Sequence, residues 1–135
     1  MKRLFTYLII LIAAAATAFA AGKDDGLLRF ETTEYDFGKI DDTHEPITYL
    51  YKFTNVSDQP VAVLSVSTGC GCTRPEYPLK PVAPGKSAEI KITFLPKGQG
   101  GWINKDIKVR YRAAKAKSSK RTTLRLKGNV TRTAK

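Results

Sequence analysis

The chain predicts an all-β fold, an antiparallel β-sandwich of about seven short strands. Apolar residues recur at every second position in several short runs. Clusters of Gly, Pro, Asn and Asp separate those runs. No stretch carries an amphipathic helical stripe of useful length. With 135 residues, 42% hydrophobic and 26% charged, the chain suits one small domain and is too short for two of typical size. Two Cys and one His exclude a disulfide-dense miniprotein and a four-thiolate zinc site within one chain.

Residues 1–20 are expected to be a cleavable signal peptide. Lys2 and Arg3 form a positive start, Leu4 to Ala16 an apolar run, and Ala18-Phe19-Ala20 a small-residue cleavage site. Leu4 to Ala21 is nearly long enough to cross a bilayer, so an uncleaved anchor competes. The Ala18-Phe19-Ala20 site and the polar GKDDG after it favour cleavage, with Ala21 as the new N-terminus. No Cys near that point marks a lipoprotein. Residues 21–27 read as a linker, 28–131 as the domain and 132–135 as a tail. Export places the two Cys in an oxidising compartment.

Arg29-Phe30-Glu31 opens a strand that Tyr35–Ile40 continues, with Tyr35 and Phe37 on one face. Ile47, Tyr49, Tyr51 and Phe53 then alternate with Thr48, Lys52 and Thr54. Asn55 to Pro60 is turn chemistry. Val61 to Ser67 is apolar on both faces through Val61, Val63, Leu64 and Val66. A loop with Pro75, Pro78 and Pro81 runs to the Pro84-Gly85 turn. Ala88, Ile90, Ile92 and Phe94 alternate with Glu89, Lys91 and Thr93. After the 96–101 loop, Ile107, Val109 and Tyr111 alternate with Asp106, Lys108 and Arg110. Trp102 is assigned to the core or an edge rather than to an exposed anchor. Residues 113–121 read as a basic linker. Leu124, Leu126 and Val130 mark the last strand, where Gly128 signals a bulge or a close approach.

Five motifs occur in order: Tyr35-Asp36-Phe37-Gly38-Lys39-Ile40, Phe53-Thr54-Asn55, Gly69-Cys70-Gly71-Cys72-Thr73, Val82-Ala83-Pro84-Gly85-Lys86-Ser87 and Leu126-Lys127-Gly128-Asn129-Val130. Over about residues 28 to 131 the chain resembles a bacterial family of exported immunoglobulin-like domains of unknown function. That family has a Cys-Gly-Cys signature and is similar to the Hydin and major sperm protein type of sandwich. The basic insertion near residue 115 is the one departure. The resemblance implies an immunoglobulin-like sandwich and export. Because the family is common in Bacteroidota-type Gram-negative bacteria, it also implies a periplasmic location. It implies no established reaction.

Cys70 and Cys72 carry the most chemistry. Two residues apart in an extended chain they share a face, with Cα atoms about 6.6 Å apart. That is the upper edge of disulfide reach, and Gly71 can bend the chain to shorten it. The pair fits a local staple, a redox couple, a two-thiolate ligand for a soft ion such as Cu(I), or two small packing groups. After export a disulfide is expected in at least part of the population. Arg74 and Lys80 would favour thiolate if they approached the sulfurs. The spacing is not C-x-x-C, which argues against thioredoxin-like catalysis.

Asp41-Asp42-Thr43-His44-Glu45 lacks the ligand offsets of a Ca²⁺ loop and reads as a polar turn. No G-x-S-x-G elbow and no Gly-rich phosphate loop occur. The expectation is therefore a non-catalytic binding or structural module of the bacterial envelope, with no cofactor and no metal. Thiol redox or copper handling is the rival. The net charge of +11 concentrates near Arg112 to Arg121. An exported protein rarely meets nucleic acid, so Lys115, Lys117, Lys120 and Arg121 point to an anionic envelope component, or to a solvated loop. Another envelope protein docking at a strand edge is the other expected partner. No stable membrane span is expected after cleavage.

Overall fold

The computed structural model describes residues 26–133. The expected signal peptide, most of the expected 21–27 linker and residues 134–135 lie outside them. Eight strands follow in order: β1 Leu28–Phe30, β2 Glu34–Asp41, β3 Ile47–Asn55, β4 Val61–Ser67, β5 Thr73–Glu76, β6 Ser87–Phe94, β7 Gly101–Ala113 and β8 Lys120–Thr131. They form two four-stranded sheets, β1-β3-β6-β5 and β2-β8-β7-β4. The two inner faces enclose one core: Phe30, Tyr51, Phe53, Ile90, Ile92 and Phe94 from the first, Ile107, Val109, Tyr111, Leu124, Leu126 and Val130 from the second. Each such side chain contributes about 1.5–3 kcal/mol on burial. The Tyr51 hydroxyl crosses the core and donates to the Arg125 carbonyl at 2.6 Å.

The immunoglobulin-like sandwich expected from sequence is correct, with four corrections. Residues 29–40 are not one strand. β1 pairs antiparallel with β3, and β2 lies in the opposite sheet beside β8. The break is at 31–33, where Glu31 N donates to Lys52 O at 3.0 Å and Arg125 N to Thr33 O at 2.7 Å, one bond to each sheet. Because the chain keeps its direction while changing sheets, β2 runs parallel to β8, so the sandwich is not purely antiparallel. An eighth strand, β5, sits in the proline loop. Thr73 to Glu76 pairs with β6 at a sheet edge, where Pro75 is tolerated. Residues 113–121 are no long linker, since Arg110 faces Arg121 and Tyr111 faces Lys120 in the β7–β8 ladder.

Two bulges explain patterns that the sequence leaves uneven. β4 looks apolar on both faces, but its register slips between Val63 and Ser65. Leu64 is thereby turned out, while Val61, Val63 and Val66 all face inward. In β2 the register shifts between Asp36 and Lys39, and Gly38 takes φ +77°. Gly128 is a close approach: the Phe37 ring lies over it and stacks on Phe94 at 5.2 Å.

Candidate docking surfaces and the cysteine corner

Cys70 and Cys72 stand at the corner where the chain leaves one sheet for the other, between β4 and β5. Their sulfurs are bonded, with Cα atoms 5.3 Å apart. Thr68 Oγ1 donates within the turn, 3.2 Å from the Cys70 carbonyl and 3.3 Å from that of Thr73. Gly69 takes φ +65°, a left-handed conformation that favours glycine. Thr73 N donates to Cys70 O at 3.3 Å, and Leu95 N to Cys72 O at 2.8 Å. Cys72 is buried in the core, Cys70 is half-buried and Gly71 is exposed. Arg74 and Lys80 are both exposed. While the bond is closed neither sulfur is a thiolate, so a soft ion would need it reduced first. Among the described residues no three of His, Cys, Asp and Glu converge as a metal site requires.

Lys115, Lys117, Lys120 and Arg121 are all exposed, in the β7–β8 hairpin and the start of β8. The hairpin is anchored to the β3–β4 turn: Ala114 N donates to Pro60 O at 2.9 Å and Lys115 N to Gln59 Oε1 at 3.0 Å. The structure adds Lys108 and Arg110, expected as outward residues, and Arg112, which opens the basic stretch, to this surface. Lys108, Arg110 and Arg112 alternate along the outer face of β7, continuous with Arg121. The signal was present as Lys108-Val109-Arg110-Tyr111-Arg112, a period-two basic run leading into the loop.

Strand coverage is uneven. β4 pairs with β7 only from Lys108 to Ala113, so Gly101–Ile107 is laddered to β8 alone. Half-buried Lys105 stands in the core-facing row between buried Ile103 and Ile107. Trp102 is 84% exposed, which excludes the core position and leaves it on the open-edge half of β7. Its position in β7 belongs to the outward alternation, at the end of the strand that β4 does not reach.

A cleft at the same end of the sandwich is lined by Asp42, His44, Pro46, Leu95 and Lys97 among others. Asp42, which lines it, and the adjacent Asp41 are both engaged. Asp41 accepts bonds from the Thr43 hydroxyl and amide, which hold it below the usual carboxylate range. Asp42 is lowered likewise by the Thr133 amide and hydroxyl at 3.0 and 2.8 Å. Asp41–Glu45 is the polar turn expected.

The chain is similar in structure to a Porphyromonas gingivalis W83 protein of unknown function, with TM-score 0.62 and 21% identity. The match covers 77% of this chain and 46% of that one, so this chain spans less than half of its length. It is similar also to a PapD-like domain of human CEP192, with TM-score 0.60, 14% identity and 81% and 88% coverage. A third likeness is WR4, a C. elegans MSP family member, with TM-score 0.53, 14% identity and 78% and 98% coverage. At these identities the likenesses speak for the fold alone. No curated protein matches in sequence. The family described as protein of unknown function DUF1573 matches residues 28–130, and the chain belongs to that family.

Proposed function

We propose that the chain is a non-catalytic binding module of the bacterial cell envelope, exported to the periplasm, that receives an extended segment of another envelope protein on the open half of β7. The observation that carries this reading is the ladder itself: Gly101–Ile107 has a strand on one side only. An open edge offers backbone groups for strand addition. A charge in the core-facing row, such as Lys105, blunts an edge against indiscriminate pairing. A partner strand that sets an acidic side chain beside Lys105 turns that obstacle into selectivity.

The test places a photo-crosslinker at Asn104 and compares the native chain with Lys105→Glu in the intact envelope. One discrete crosslinked partner, lost on charge reversal, is the expected result. No adduct, or the same adducts from both proteins, refutes the reading. A second reading, thiol redox or copper handling, draws on the half-buried Cys70 and exposed Gly71, which leave the disulfide within reach of reagents. Thiol titration before and after reductant, then with Cu(I), separates the two. A Cu(I) complex that forms at physiological thiol potentials would favour the second.

A further inference from the structure

Four cations elsewhere on the two sheets are set against opposite charges. On the outer face of the β1-β3-β6-β5 sheet, Lys52 faces Glu89 directly and Lys91 meets Glu76 at 3.8 Å. On the other sheet, Arg125 pairs with Asp106 at 3.3 Å and Lys127 pairs with Glu34. The upper half of that second sheet breaks the pattern. Arg110 stands directly opposite Arg121, with Lys108 and Arg112 one outward step to either side of Arg110. None of these four forms an ion pair among the described residues. Residues 108–121 hold seven Lys and Arg and no Asp or Glu. The acids that β4, β7, β8 and the β3–β4 turn carry are Asp58, in that turn, and Asp106, already held by Arg125. Like charges directly opposite one another destabilise a sheet, so the arrangement is costly to the isolated fold.

Four features describe what would relieve that cost. The cations are laid out along strands, at steps of about 6.8 Å on β7 and about 5 Å across to β8. They do not converge on a point. Ser65 and Ser67 line the shallow depression between Lys108, Arg110 and Arg121, offering hydroxyls beside the charges. The same outward row of β7 carries Trp102, 84% exposed, and the adjoining strand turns out Leu64, 37% exposed. A cationic sheet face that shares its outward row with an exposed indole, about 20 Å along the strand from Lys108, matches a headgroup layer, where anionic phosphates spread over an area and Trp rings are favoured.

We propose that the outer face of β4, β7 and β8, from Ser67 and Lys108 to the 114–119 hairpin, docks on an anionic phospholipid membrane, with Trp102 at the interface. The cations lie outside the open half of β7, Trp102 stands on the outer face of that half rather than along its edge, and the proposal does not rest on strand docking. A cation at such a surface multiplies partitioning about fivefold.

The experiment uses the protein purified from its native envelope and vesicles of phosphatidylglycerol and phosphatidylcholine, or of phosphatidylcholine alone. Two variants remove four cations each. One is Lys108→Gln/Arg110→Gln/Arg112→Gln/Arg121→Gln. The other, on the opposite sheet, is Arg29→Gln/Lys52→Gln/Arg74→Gln/Lys91→Gln. Circular dichroism confirms that both fold. Expected are cosedimentation with the anionic vesicles alone, weakening steeply with salt, and a blue shift of emission from the single Trp. The first variant should lose partitioning by nearly three orders of magnitude and the second by far less. Equal losses in the two variants would show a response to net charge only and overturn the proposal. So would binding to a dissolved acidic polysaccharide without binding to vesicles, or vesicle binding that leaves Trp102 emission unshifted.

Discussion

Gly128→Ala tests the packing of the Phe37 ring, which lies over Gly128 in its own sheet and meets Phe94 of the other. A Cβ built at Gly128 would lie 2.2, 2.4 and 2.5 Å from Cε2, Cδ2 and Cζ of Phe37. Gly128 has no left-handed φ, so alanine meets no backbone strain there, and the cost is steric. Phe37 is half-buried, and its ring is stacked at 5.2 Å on Phe94, which is fully buried. A stacked ring cannot swing aside like a flexible chain. Expelling it forfeits about 1–1.5 kcal/mol of burial and about 0.5–1.5 kcal/mol of ring pairing. The improved strand preference of alanine returns about 0.5 kcal/mol or more. The net loss is about 2 kcal/mol, a fall in Tm of about 8–16 °C for a domain of this size. Thermal and urea melts followed by circular dichroism measure it. The decisive comparison is the double-mutant cycle with Phe37→Ala. Once the ring is gone, Gly128→Ala should cost nothing, leaving a coupling energy of about 2 kcal/mol. Equal costs in both backgrounds, or a Gly128→Ala variant within about 0.5 kcal/mol of the native chain, refute the reasoning. Gly100→Ala is the contrast. Its Cβ would meet Arg132 Nε at 2.5 Å, but that side chain is exposed and free to move, so the melt should barely change.

Tyr51→Phe removes the hydroxyl that donates to Arg125 O at 2.6 Å and should cost about 1–2 kcal/mol. Burial first, then Tyr49, holds the Tyr51 proton well above the ordinary value of 10.0. The folded state therefore keeps a proton that the unfolded state loses, and stability should fall as pH rises above about 10. Melts across pH 9 to 11 should be flatter for Tyr51→Phe. Asn55→Ala should be more severe, at about 3 kcal/mol. Asn55 is fully buried, its amide donates to Gln59 O and Val82 O at 2.7 and 2.8 Å, and its Oδ1 accepts from Ser57. A melt within 1 °C of the native chain would contradict that count. Cys70→Ala/Cys72→Ala opens a ring of three residues, worth about 1–2 kcal/mol in chain entropy, so circular dichroism should still show a β-sheet that melts cooperatively. An unfolded variant would mean that the corner depends on the bond.

The period-two rule located most strands because one face of each is buried: Ile47, Tyr49, Tyr51 and Phe53 face inward as their alternation requires, and so do Ile90, Ile92 and Phe94. It failed where that condition failed. β5 is a four-residue edge strand containing Pro75, too short to show a period. Leu64 is an extra residue at a bulge, and nothing local separates it from a second buried row. Trp102 was drawn inward by its size, although its place in β7 has no strand beside it on the β4 side and no sheet above it. The disulfide was legible from spacing, glycine and compartment. The basic face was only half legible, because an outward Lys or Arg in a strand is ordinary. Which cations lack partners depends on which strands lie adjacent, and that is a property of the β4–β7–β8 register.

The two strand switches link the corner to the open edge. Between Ser67 and Thr73 the chain must cross from one sheet to the other, a gap of about 10 Å. The Cys70–Cys72 bond and the Thr68 and Gly69 turn hold that crossing in place. They thereby fix Ser67, opposite Lys108, as the last residue of β4 to cover β7. Were the crossing looser, β4 could extend its ladder toward Ile107 and close the edge. Hydrogen exchange tests this. In the oxidised protein the amides of Lys108–Ala113 that point toward β4 should be protected, and those of Gly101–Ile107 on the same side should exchange freely. Reduction should release the Thr73 and Leu95 amides, which donate to Cys70 O and Cys72 O, and should slow exchange in Gly101–Ile107 as β4 lengthens. If reduction speeds exchange in Gly101–Ile107, or leaves Thr73 and Leu95 protected, the bond does not set the edge.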